Sequence, residues 1–120
     1  MSYRSNVAIS LLEEDFRWLL QESDEAMLDF IEEMNRRTFK GENEEKVVQI
    51  YIRSIKWDPY HDKENIHLMD FISNGDFPYA FVREGEDEED VEQHERGIGN
   101  RKGNLHWRDC PVYRSRIFFP

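Results

Sequence analysis

The residues best able to do chemistry in this 120-residue chain are its carboxylates, which are concentrated in two places. Residues 84–95 contain eight Asp and Glu, and a second group falls at helical spacing between residues 25 and 33. Dense carboxylates repel nucleic acids and anionic membranes and attract basic protein surfaces. The sequence therefore predicts a partner-binding surface made of ten acids: Glu25, Asp29, Glu32, Glu33, Glu84, Glu86, Asp87, Glu88, Glu89 and Asp90.

The charge changes sign along the chain. Residues 1–95 contain 10 Lys and Arg against 25 Asp and Glu, residues 96–120 contain 6 against Asp109 alone, and the formal net charge is −10. The basic end could instead neutralise the acidic segment within the same domain. A solvated helix face with a solubilising loop is the simplest alternative. Direct binding of nucleic acid through the basic end is a further one, which the overall charge disfavours.

Histidines and the single cysteine are the remaining candidates for catalysis or metal binding. The chain has no C-x-x-C pair, no H-x-x-x-H pair and no calcium-loop pattern, so we expect no catalytic residue, cofactor or metal site. Cys110 follows Asp109, whose charge disfavours the reactive thiolate. The alternative to a binding module is a small enzyme or ligand-binding domain that uses His61, His67, His94 or Cys110.

Length and composition bound the class of protein. A mass of 14.6 kDa with 38% apolar and 13% aromatic residues allows one hydrophobic core, so residues 1–120 are predicted to form a single domain. No apolar run approaches the length of a membrane span, and the acids at 13–15 interrupt any signal peptide. One cysteine cannot form an intramolecular disulfide. A cytoplasmic protein is the expectation.

The first half of the chain predicts a short strand and two helices. Apolar residues 7–9 suit a strand, and Ser10 with Glu13 fits a capping box that starts a helix over about 11–22. Ser23 or Asp24 then caps a second helix over 24–38, in which four acids lie opposite an apolar face. The residues of that apolar face are Met27, Leu28, Phe30, Ile31 and Met34.

The middle of the chain predicts strand, helix and strand. β-branched residues favour a strand over 46–57, which Asp58-Pro59 ends. Asp62 caps a third helix that closes at Asn74-Gly75, and residues 77–83 favour another strand. The inner row of the long strand is predicted to be Val48, Ile50 and Ile52, packed against Met27, Phe30, Ile31 and Met34.

The last part of the chain is predicted to be an acidic segment, 84–95, followed by a basic, hairpin-like region, 96–120. Within that region, the glycines of 96–104 suit a turn, and residues 105–107 and 112–119 are short strand candidates. The order of elements favours an α+β domain of two layers, with about three helices packed on one face of a mainly antiparallel sheet.

Two stretches, IRSIKWDPY (52–60) and FPYAFVREGEDEEDVEQ (77–93), carry a resemblance. The pattern is a strand ending at Lys56 and Trp57, a helix, and a strand leading into further acids. The residues that carry the second part are Arg83, Gly85, Glu86, Asp87, Asp90 and Val91. In this pattern the chain resembles a loose group of small uncharacterised proteins of phages and mobile elements. The resemblance implies an accessory protein, from a class rich in inhibitors of host machinery, and no particular activity.

The function that the sequence favours is therefore a non-enzymatic protein-binding module. Its carboxylates would imitate a nucleic acid and occupy the basic surface of a host nucleic-acid-handling or defence protein. Large aromatic side chains supply much of the energy of many interfaces. The predicted anchors are Trp18, Trp57 and Trp107.

Overall fold

The computed structural model describes residues 3–40, 44 and 46–96. This part of the chain forms five strands and three helices. In chain order they are β1 (Ser5–Leu12), α1 (Glu13–Gln21), α2 (Glu25–Glu33), β2 (Asn35–Lys40), β3 (Lys46–Ile55), α3 (Lys63–Asn74), β4 (Tyr79–Gly85) and β5 (Val91–Arg96).

The strands form one sheet in the order β2-β3-β1-β4-β5, and every neighbouring pair is antiparallel. Directly opposed residues of an antiparallel pair lie on the same face of the sheet. Ile9 of the central strand β1 therefore shares a face with its partners Ile50 of β3 and Phe81 of β4. We call this the first face and the opposite one the second face.

The hydrophobic core lies between the first face and the three helices. Phe16 and Leu19 of α1, Ile31 of α2, and Leu68 and Ile72 of α3 are all buried there against the sheet. The predicted α+β architecture, with helices on one face of an antiparallel sheet, is confirmed. The predicted inner row is confirmed as well, since Val48 and Ile50 are buried and Ile52 packs in the same core as the apolar residues of α2.

The second face of the sheet is also buried. Ala8 of β1, Gln49 of β3, and Ala80 and Val82 of β4 have no exposed surface. The buried apolar residues of α1, α2 and α3 all belong to the core on the first face.

The predicted capping role of Ser10 is wrong. Ser10 lies inside β1, where its hydroxyl accepts a hydrogen bond from Gln49 Nε2 at 3.2 Å. α1 begins instead after Leu12, which has extended backbone and provides no side-chain cap. The strand continues through Ser10 because β1 is paired on both sides, and two ladders of backbone hydrogen bonds outweigh one local cap.

The predicted extent of the second helix is also wrong. α2 ends at Glu33, Met34 has extended backbone, and β2 follows where the prediction continued the helix to residue 38. Every residue of β2 pairs with β3. Cross-strand packing adds to this, since the guanidinium of Arg37 lies 4.4 Å from the centre of the Tyr51 ring. Leu28, predicted on the apolar face of the helix, is 37% exposed.

Other predicted helix ends are correct. Asp24 caps α2 through Met27 N at 2.9 Å, Asp62 caps α3 through Asn65 N at 3.0 Å, and α3 ends at Asn74. The acidic segment contains a strand, β5, that was not predicted. Beyond Arg96, the last residue of β5, the predicted turn up to residue 104 and the strand candidates 105–107 and 112–119 lie outside the described residues, as do the side chains of the basic end that could neutralise the acidic segment.

Candidate functional site

The acidic segment forms the turn of a β-hairpin between β4 and β5. Gly85 N donates to Asp90 O at 2.8 Å, and Asp90 N donates to Asp87 O at 3.0 Å. These backbone hydrogen bonds close the turn at its base. The four residues between its ends are exposed acids, which we call the turn surface: Glu86, Asp87, Glu88 and Glu89.

Arg83 clamps the base of this turn. Its side chain is 16% exposed; Nη2 lies 2.7 Å from Asp90 Oδ1, and Nε lies 3.0 Å from Glu92 Oε1. Nη1 donates to Ser5 Oγ of β1 at 3.1 Å, which ties the hairpin to the central strand. Tyr3 closes the other side, since its hydroxyl donates to Asp90 Oδ2 at 2.6 Å and accepts from the backbone N–H of Asp87 at 3.1 Å.

Arg83, Tyr3 and Asp90, which we call the clamp, change the pKa values of one another. The hydrogen bond from Arg83 and then that from Tyr3 lower the pKa of Asp90 from 3.8 to about 2. The same hydrogen bond to Asp90 raises the pKa of the Arg83 guanidinium. Hydrogen bonds that favour the ionised form of a group have this effect. Asp90 is therefore a structural anion of the hairpin.

The ten acids predicted to bind a partner occupy different environments. Glu84 lies on the second face and is 7% exposed, and Asp90 is bound to Arg83. Of the turn surface, Glu86, Asp87 and Glu89 have no Lys or Arg within ion-pair distance among the residues that the structure describes. These carboxylates are open to solvent on a turn that is held in place.

α2 carries the other predicted acids, which we call the α2 surface: Glu25, Asp29, Glu32 and Glu33. All four are exposed, and they lie on the side of α2 away from the buried Met27 and Ile31. The last turn of α2 contains no basic residue. Acids near a helix C-terminus oppose the helix dipole, and like charges four residues apart repel each other. Glu32 and Glu33 therefore lower the free energy of unfolding.

Sheet topology associates the two acidic surfaces with opposite edges. The turn surface leads into β5, one edge strand, whereas α2 leads into β2, the other edge strand. A cleft of about 280 Å³ lies beside the turn surface, lined by Asn6, Glu84, Gly85, Glu86, Asp87, Glu88 and Val91. The turn surface is thus a local site with its own concavity.

A second cleft, of about 370 Å³, lies between α1 and α3. Trp18 is 46% exposed at its rim, packs edge-on to Phe71 and Phe77 with ring centres 5.6 and 6.1 Å away, and donates to Glu22 Oε1 at 3.2 Å. The sequence analysis singled out Trp18 as an anchor but did not predict the cleft, because the other aromatic residues of its lining lie on separate elements. Its lining is Trp18, Glu22, His67, Phe71, Asn74, Gly75 and Phe77.

The other predicted aromatic and chemical residues do not converge. Trp57 is partly buried beside Phe81, with ring centres 6.0 Å apart. His61 contacts Asp58 at 3.0 Å, and His94 contacts Glu92 at 2.8 Å. Over residues 3–40, 44 and 46–96, no group of three His, Cys, Asp or Glu could hold a metal ion. Cys110 and Trp107 lie outside the described residues.

None of the helices in the described ranges is both long enough and apolar enough to cross a membrane. No protein-family model matches the chain, and no curated protein or solved structure is significantly similar to it. The chemistry of the two acidic surfaces and of the aromatic cleft is therefore what a functional proposal has to explain.

Proposed function

We propose that this protein is a non-enzymatic binding module that docks on the basic surface of another protein through its turn surface. The observation that carries the proposal is a run of four exposed acids on a hairpin turn whose base is clamped by Arg83. A clamped turn loses little conformational entropy on binding. Exposed carboxylates of one sign steer a basic partner and raise its association rate.

The partner class that we favour is a nucleic-acid-handling protein, such as a defence nuclease. The basic groove of such a protein is built to accept closely spaced negative charges and to release their counterions. The α2 surface offers a second row of carboxylates, and an overall charge of −10 discourages direct contact with nucleic acid. The resemblance to small phage and mobile-element proteins supports an inhibitory role.

The aromatic cleft supports a second candidate function, a ligand-binding domain. Apolar walls with a few polar groups, here Glu22 and His67, are typical of small-molecule sites. A molecule that stays with the purified protein through gel filtration, and is lost from Trp18→Ala, would favour this function over the first.

The test of the proposed function neutralises the turn. We expect the triple variant Glu86→Gln, Asp87→Asn and Glu89→Gln to associate with a captured basic protein about tenfold more slowly at low salt. The difference should shrink at high salt, where exposed charges are screened. Proteins captured from a cell lysate by the immobilised wild type are identified and purified individually. Their rates of association with the wild type and with the triple variant are then measured over a salt series.

A matched variant controls for net charge. Glu44→Gln, Glu64→Gln and Asp70→Asn together remove the same three charges from sites outside both acidic surfaces. The proposal requires this variant to associate nearly as fast as the wild type. Equal association rates for the turn variant and the wild type at low salt would contradict docking through the turn surface. Competition by duplex DNA would show whether the partner binds this protein through its nucleic-acid groove or through another basic surface.

The α2 surface makes a separate prediction about stability. Glu32→Gln with Glu33→Gln should raise the free energy of unfolding by a few tenths of a kcal/mol per site, because acids at a helix C-terminus oppose its dipole. The same variant should associate more slowly with the partner. Residues that serve binding often lower the stability of the fold, so removing them raises stability and weakens binding. Urea denaturation and the association rate are measured on the same samples.

Glu25→Gln is the control for this prediction. It removes one charge from the first turn of α2, where an acid is favourable, so its effect on stability should have the opposite sign. A loss of stability in the Glu32 and Glu33 variant would show that these acids serve the fold rather than a partner.

A further inference from the structure

Three aromatic side chains meet at the cleft between α1 and α3. The distance between ring centres is 5.1 Å for Phe71 and Phe77, 5.6 Å for Trp18 and Phe71, and 6.1 Å for Trp18 and Phe77. The indole plane is inclined by 72° and 68° to the two phenyl planes, so the rings face different directions. A cation above this triangle of ring centres can lie within about 6 Å of all three, which is the range of a cation–π interaction.

The exposure of the three rings gives the cleft a floor and an open mouth. Trp18 is 46% exposed, Phe71 is partly buried, and Phe77 is only 3% exposed. Phe77 can occupy the floor because Gly75 has no side chain, since a Cβ at that position would collide with the Phe77 ring. The volume of about 370 Å³ falls within the range of small-molecule sites.

The electrostatics of the cleft favour a positively charged ligand. Glu22 is exposed and accepts a hydrogen bond from Trp18 Nε1 at 3.2 Å, which holds a carboxylate beside the indole ring. The other polar side chains of the lining are His67 and Asn74. Among the residues that the structure describes, no Lys or Arg lines the cleft or lies within ion-pair distance of Glu22. Aromatic faces also carry partial negative charge, so rings and carboxylate attract the same kind of ligand.

We infer that this cleft binds a small quaternary ammonium compound. The methyl groups of such a cation pack on aromatic faces, and its nitrogen has no N–H that would need an acceptor once it leaves water. A neutral apolar ligand would use the rings but gain nothing from Glu22. The inference rests on the second candidate function, the ligand-binding domain, and names the class of its ligand; it does not depend on the turn surface.

Choline and its neutral isostere, in which a tert-butyl group replaces the trimethylammonium group, test the role of the positive charge. The full-length wild type should bind choline at least about tenfold more tightly than the isostere, as measured by isothermal titration calorimetry at low salt. Choline should also shift the indole N–H resonance of Trp18, which locates the site. Equal affinities would overturn the inference but leave a site for apolar ligands. Binding of neither compound at millimolar concentration would also overturn it, whereas the co-purified molecule decides the candidate function.

Variants of the cleft provide the second arm of the test. Trp18→Leu keeps an apolar side chain without an aromatic face and should weaken choline binding about tenfold, whereas Trp18→Phe should retain most of the affinity. Glu22→Gln should weaken it severalfold, and Glu44→Gln, which removes the same charge from an exposed site outside the cleft, should leave it unchanged. Equal losses in the two glutamine variants would overturn the inference, because choline would then respond to net charge alone. The comparison of the two ligands in the wild type decides the matter if Trp18→Leu does not fold.

Discussion

Replacing Ile50 with alanine is expected to lower the free energy of unfolding by about 2–5 kcal/mol. Ile50 is 1% exposed and lies on the first face of β3, directly opposite Ile9 of the central strand. It belongs to the same core as Met27 and Ile31 of α2. Truncation would leave a cavity where the sheet meets the helices, and neighbours paired on both sides of β3 have little freedom to fill it. Urea denaturation of both proteins measures the loss.

Leu28→Ala is the matched control, because it removes a side chain of similar size from the exposed side of α2. Its cost should stay below about 1 kcal/mol. A loss of that size is tolerable for a domain with about 5–15 kcal/mol of total stability, whereas the Ile50 loss is a large share of it. If the two variants unfolded at the same urea concentration, the assignment of Ile50 to the inner row would be wrong.

The sequence predicts the core well because the core depends on local periodicity. Alternation of Val48, Ile50 and Ile52 indicated the buried row of β3, and the caps Asp24 and Asp62 marked two helix starts. The errors occur where distant pairing overrides a local signal. Ser10 suits a helix cap but is held in β1 by two neighbouring strands, and residues 35–38 continue a helical pattern but pair with β3.

The candidate site is less accessible to sequence reasoning. The density of acids in the sequence located both acidic surfaces. It did not show that Glu84 is buried and that Asp90 is paired with Arg83, whereas Glu86 and Asp87 are exposed. That distinction comes from β5, which brings Glu92 beside Arg83. The aromatic cleft also depends on tertiary contacts, because Trp18 and Phe71 lie on separate helices.

Replacing Arg83 with methionine is expected to cost about 1–3 kcal/mol at neutral pH, since it removes hydrogen bonds to two carboxylates and to Ser5. The loss should depend on pH in a defined direction. The pKa of Asp90 falls from 3.8 to about 2 on folding, so its contribution to stability is full above about pH 4 and is lost as the pH falls through about 2. The difference in stability between wild type and Arg83→Met should therefore shrink between pH 4 and pH 2. Denaturation at several pH values measures it.

Asp90→Asn separates the clamp from general effects of charge. It should reduce the stability lost between pH 4 and pH 2, and adding Arg83→Met to it should cost less than Arg83→Met alone, because the two residues act as a pair.

The clamp also connects stability with the proposed function. Arg83→Met keeps all four carboxylates of the turn surface but releases the base of the turn, so its association with the partner should slow although no acid is lost. A variant that loses stability but associates at the wild-type rate would show that binding needs only the charges and not their fixed arrangement.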